Sequence, residues 1–140
     1  MRRFLLVCIA CSATVTLISP NANAIAPFKK AFQKKYVDPS DNESFQDAFK
    51  KASCNSCHVK GEKKTVRNSY GDELAKLIDG DANARIKAAG KEGGSAARKS
   101  ETEKVLQELE KAFDEVAKKK NKNGETYGEQ LKQGKLPTAK

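Results

Sequence analysis

Residues 43–58 read Glu43-Ser44-Phe45-Gln46-Asp47-Ala48-Phe49-Lys50-Lys51-Ala52-Ser53-Cys54-Asn55-Ser56-Cys57-His58. Phe45, Ala48, Phe49 and Ala52 fall at i, i+3, i+4 and i+7, one face of a helix. That helix delivers the chain directly into two cysteines and a histidine. Ser40, with Glu43 three residues on, forms a capping box and predicts where the helix begins.

Upstream, residues 25–39 are basic and end at Pro39. Phe28, Phe32 and Tyr36 recur at four-residue spacing, so a short amphipathic helix is expected in this N-terminal extension. Residues 1–24 read as a signal peptide. Arg2 and Arg3 precede an apolar run from Phe4 to Ile18, Pro20 breaks it, and Ala22-Asn23-Ala24 supplies a small-x-small cleavage pattern. Cleavage is expected after Ala24, with an exported, periplasmic product. The run is too short and too tightly bounded to persist as a membrane anchor, so no stable membrane span is expected after cleavage.

Downstream, a basic loop covers about 59–67, and Ser69 with Asp72 predicts the next helix start. Tyr70, Leu74, Leu77 and Ile78 line one face of that helix, and Gly80 stops it. A short helical piece is expected over 81–89, then a flexible linker at about 90–99 around Gly90, Gly93, Gly94 and Ser95. Ser100 and Glu103 open the longest predicted helix, striped by Val105, Leu106, Leu109, Phe113 and Val116. Asn123-Gly124 is a turn, and a short element from Tyr127 closes the chain. Ser69-Tyr70-Gly71-Asp72 is echoed by Thr126-Tyr127-Gly128-Glu129, too briefly to be a repeat. No run of alternating β-branched residues occurs, so the fold class is all-α, with one domain over 40–137.

The chain has 140 residues, 38% hydrophobic and 32% charged, with a formal charge of +9. Loss of Arg2 and Arg3 with the signal takes 27 Lys+Arg to 25 against 18 Asp+Glu, a net +7. Cys8, Cys11 and Met1 leave too, so the mature chain keeps only Cys54 and Cys57, one histidine and no methionine. One histidine excludes a His-rich metal enzyme. Five phenylalanines, three tyrosines and few aliphatic residues make a thin core for the mature chain, which often needs a staple or a bound group.

Cys54-Asn55-Ser56-Cys57-His58 is C-x-x-C-H, the spacing of covalent c-type haem attachment. Two thiols add across the two vinyl groups of haem, so they must lie a fixed distance apart on a short loop. The histidine after the second thiol can then ligate iron from the proximal side. Zinc would need four ligands, and the mature chain offers two cysteines and one histidine in a row plus carboxylates. A thioredoxin-like redox pair expects a βαβ context, and a plain disulfide leaves His58 unexplained.

The order helix, C-x-x-C-H, loop, helix, long C-terminal helix resembles small monohaem cytochromes c of class I. The resemblance covers about residues 40–120, with Cys54, Cys57 and His58 matching the specific motif. It implies one haem c held by thioethers from Cys54 and Cys57, iron ligated by His58, and terminal helices that cross, so that Phe45 and Phe49 meet Leu106, Leu109 or Phe113. The usual distal Met is missing, and so is a second His. The sixth iron position is therefore open, or filled by water or an unusual group. Lys63 and Lys64, Tyr70, Tyr127, Asn68 and the Ile25 amine are the groups considered; the tyrosines read as core residues with satisfied hydroxyls and Asn68 as a helix-start residue. Without axial Met the reduction potential is expected to be lower.

The expected function is single-electron transfer by an exported, monomeric carrier with no catalytic residues of its own. The alternative is an open-site haem protein that binds a diatomic gas or peroxide. Lysines in 29–35, 50–51 and 60–67 flank the motif and suit acidic redox-partner proteins. Nucleic acid is not an expected partner, because no aromatic residues alternate with the lysines.

Overall fold

The computed structural model describes residues 26–138; the expected signal peptide, its cleavage site and Ile25 lie outside the described residues. The chain folds as α1 (Ala26–Phe32), continued by one wide π-helical turn (Gln33–Val37), α2 (Glu43–Ala52), a 3-10 turn (Ser53–Ser56), α3 (Ser69–Ala75), α4 (Ala82–Ala117) and α5 (Tyr127–Lys132). No strand forms among the described residues, only isolated bridges between His58 and Arg67 and between Lys120 and Thr126. The fold is all-α, and no helix among the described residues is long and apolar enough to cross a membrane.

Short polar side chains set the helix starts. Asn42, not Ser40, caps α2 by accepting the Phe45 N–H, while the Ser40 hydroxyl accepts the Asn42 N–H. Asn68, not Ser69, caps α3 through the Gly71 N–H. Asparagine caps as well as serine; Asn42 stands nearer α2 than Ser40 does, whereas Ser69 is already the first helical residue of α3 and leaves the cap to Asn68. Asp81 caps α4, and Thr126 with Glu129 forms a full capping box on α5.

Residues 90–99 are not a linker. They are helical except at Gly94, whose φ of 68° and ψ of −157° are open essentially to glycine alone. The alanines, lysines and arginine around the glycines are strong helix formers, so the break is confined to one residue. The Ser100–Glu103 start expected for the long helix lies within the second arm. The two arms fold back on each other. Arg85 binds Glu101 at 2.7 Å and Glu108 at 2.8 Å, and Ala82, Ile86 and Val105 make a small core between them.

The main core joins Phe32, Phe45, Phe49, Tyr70, Leu74, Leu109, Phe113, Val116, Tyr127 and Leu131. It does not begin at residue 40, since Phe32 and Val37 are buried within it. Phe32 stacks on Phe49 at 5.6 Å between ring centroids and meets Phe113 edge-on at 6.0 Å. The expected meeting of α2 with the long helix is thus bridged by a ring from α1. The long helix packs against α1, α3 and α5.

Candidate functional site

The chain leaves α2 through Ser53 at φ 52°, a region that costs non-glycine residues on the order of 1 kcal/mol or more. The turn that follows is closed by Cys57 and His58 N–H groups donating to the Cys54 carbonyl, each at 3.2 Å. The Ser56 hydroxyl donates to the Ser53 carbonyl at 3.0 Å. Residues 59–66 then double back, with Val59 N–H on the Val66 carbonyl at 3.2 Å.

Asn68 locks this turn from below. Its side-chain amide donates to the Ser56 carbonyl at 3.0 Å and the Pro137 carbonyl at 2.7 Å, while its oxygen accepts the Gly71 N–H at 2.9 Å. Its backbone N–H donates to the Cys57 carbonyl at 3.1 Å. Asn68 is therefore committed on every side and is a structural residue.

Cys54, Cys57 and His58 share one wall of a cavity of about 330 Å³. Phe32, Phe49, Leu74, Leu109 and Phe113 give it an apolar lining, and Phe28, Ile78 and Ala82 continue that surface from α1, the turn after α3 and the start of α4. Lys29 and Arg67, both exposed, and half-buried Lys64 add cations at its edge. Lys64 donates to the Asn55 side chain at 2.9 Å, which ties the loop to the C-x-x-C turn.

Both thiols are free and partly buried. Burial, and secondarily Cys54, pushes the Cys57 thiol up to about 12. His58 is held below its ordinary value by burial first; the Val66 backbone opposes this, and Lys64 and Arg67 reinforce it. Its Nδ1 is buried with no hydrogen-bond partner.

Among the described residues no group of three or more His, Cys, Asp and Glu gathers to hold a metal ion. The thiols and imidazole are therefore not completed into a metal site by protein side chains. The cavity thus brings two cysteines, one histidine and three cations, Lys29, Lys64 and Arg67, together with an apolar lining.

Of the other side chains considered from sequence, only Lys64 lines the cavity. Tyr70 and Tyr127 are core rings, edge-to-face at 5.1 Å. The Tyr70 hydroxyl is buried without a hydrogen-bond partner of good geometry, contrary to the satisfied hydroxyl expected for it. The sequence reading missed Phe28, Lys29, Ile78 and Ala82 as lining residues. Phe28 belonged to a visible four-residue spacing, but periodicity does not say what a helix packs against.

No family model matches the chain, and no match to it is found among curated proteins or solved structures.

Proposed function

We propose that this chain is an exported carrier of single electrons, with one haem c attached through Cys54 and Cys57 and ligated by His58. The observation that carries the reading is that Cys54, Cys57 and His58 all line one largely apolar cavity. The bound group would supply reversible one-electron chemistry at iron.

The residues of the chain have separate parts in this reading. Cys54 and Cys57 anchor the group, so a small domain retains it in an open compartment. The apolar lining from Phe32, Phe49, Leu109 and Phe113 excludes water, which disfavours the more highly charged oxidation state. Lys64 and Arg67, which line the cavity, would offer cations to acidic groups of the bound molecule. The exposed lysines around the opening favour encounter with acidic redox-partner proteins, an attraction that weakens with salt.

The test is an optical spectrum and a peptide mass from protein exported by a host competent in haem c attachment. A Soret band, with a haem mass increment on the peptide bearing Cys54 and Cys57, supports the reading. A colourless protein with unmodified cysteines overturns it.

A further inference from the structure

We propose that the groove between α3, the end of α4 and the start of α5 is a docking surface for an acidic partner protein. The groove, of about 450 Å³, sets Lys76, Lys119, Lys120 and Lys122 against two acids, Asp72 and Glu73. These lysines lie outside the stretches 29–35, 50–51 and 60–67 that flank the cysteine turn.

The ion pairing here runs opposite to that of Lys35 and Arg85. On the turn after α1, one cation, Lys35, is held by two acids, Glu110 at 3.2 Å and Asp114 at 2.9 Å. Between the arms of α4, Arg85 and Lys104 share Glu101 while Arg85 also holds Glu108, so two cations meet two acids. In the groove a single acid, Glu73, is shared by two cations, Lys76 and Lys119. The Glu73 side chain is 24% exposed, against 65% for Lys76 and 42% for Lys119. The carboxylate is the more buried partner, and the ammonium groups keep their outer sides in water. One negative charge does not neutralise two positive ones, so a surplus is left for carboxylates from outside. Hydrogen bonding from Lys119 first, then Lys76, holds the Glu73 carboxyl below its ordinary value, which keeps this pairing in place at neutral pH.

The backbone that carries the lysines is fixed before anything binds. The Tyr127 N–H donates to the Lys119 carbonyl at 2.9 Å, the Asn121 N–H donates to the Glu125 carbonyl at 2.7 Å, and Lys120 bridges to Thr126. Gly128 lies so close to Ala117 that a Cβ there would stand 2.9 Å from its carbonyl oxygen. Cations on a fixed backbone lose less freedom on binding than cations on a loose tail. They are spread along an open surface with two acids among them, which suits several carboxylates presented together by a protein face better than one small anion.

The groove also has a structural link to the cavity that holds the thiols. Tyr127 lines the groove, its ring meets Tyr70 at 5.1 Å, Tyr70 meets Phe32 at 6.0 Å, and Phe32 lines the cavity. A partner seated on the groove is joined to the cavity by three packed rings.

The experiment maps amide signals of the exported full chain, labelled with nitrogen-15, during titration with hexaglutamate as a stand-in for an acidic protein face, and separately with inorganic phosphate. Hexaglutamate is expected to move the signals of 69–76 and 118–127 first, with affinity falling as salt rises. Lys76→Gln combined with Lys119→Gln should weaken binding by about tenfold, while Lys34→Gln combined with Lys50→Gln should change it by less than about twofold. Shifts centred on 29–35, 50–51 or 60–67, or spread evenly over the lysines, overturn the proposal. Phosphate displacing the peptide at equal concentration also overturns it, because the groove would then be a small-anion site. If the double variant does not accumulate, the wild-type map alone decides. The test reads the groove by itself, so its failure leaves the haem reading untouched.

Discussion

Gly71 presses its α-carbon against the Cys57 carbonyl, so that a Cβ there would overlap that oxygen and come within 3.2 Å of the Arg67 Cβ. The obstacle is backbone, and backbone held by Asn68, so it cannot swing away. Gly71→Ala is expected to destabilise the protein by about 1–3 kcal/mol, as overpacking does. Thermal unfolding checks this, with a fall in Tm of roughly 5–15 °C expected. An unchanged Tm would mean that α3 can slide from the cysteine turn.

Asn68→Ala removes a helix cap and strips two carbonyls, those of Ser56 and Pro137, of a donor. A lost cap costs about 1 kcal/mol, and each buried acceptor left bare adds about 1–3 kcal/mol. Urea unfolding should therefore show a loss well above that of Asn42→Ala, whose side chain only caps α2. Equal losses would reduce Asn68 to a cap.

Glu108 gives a signed pH dependence. Hydrogen bonding from Arg85 foremost, with the Asp79 N–H, holds its carboxyl below the ordinary value of 4.5, against desolvation. The unfolded chain then takes up the proton more readily than the folded one. Stabilisation is complete above the ordinary value and fades as pH falls through the lower folded value. With the Glu108 side chain 29% exposed, its size is below about 1 kcal/mol. Unfolding free energy measured from neutral to about pH 3 should fall less in Glu108→Gln than in wild type.

Gly94→Ala forces a side chain into a conformation that costs about 1–3 kcal/mol. Nothing crowds the site, so strain alone is at work. The cost should be read in amide exchange along 82–100, where Arg98 lies against Gly90. Exchange that stays unchanged there would show that the two arms hold together without this bend.

The sequence disclosed the helices wherever an apolar stripe met a charged face, as with Phe45 and Phe49 or Leu109 and Phe113. It misplaced two starts because serine and asparagine compete for the same cap. It misread 90–99 because glycine content suggests slack, whereas a single residue with the right dihedrals can bend a helix sharply. That Cys54, Cys57 and His58 line the same cavity follows from their standing on one contiguous stretch of chain. Lys29, Ile78 and Ala82 were not legible as its lining, because their meeting depends on how α1 and α4 dock, and docking has no local signature. The Tyr70–Tyr127 pair shows the middle case: an echo too short to count as a repeat places both rings in one contact.

Asn68 also ties the chain's order of synthesis to its chemistry. The Pro137 carbonyl that completes its bonding comes 69 residues later along the chain. As the polypeptide emerges, the cysteine turn is out in the open long before its last brace arrives. For that interval the turn lacks one of the bonds that fix Asn68 in the folded chain. Removing the far end of the protein would leave the Asn68 amide short of an acceptor and so loosen the cysteine turn from a distance of 69 residues along the chain.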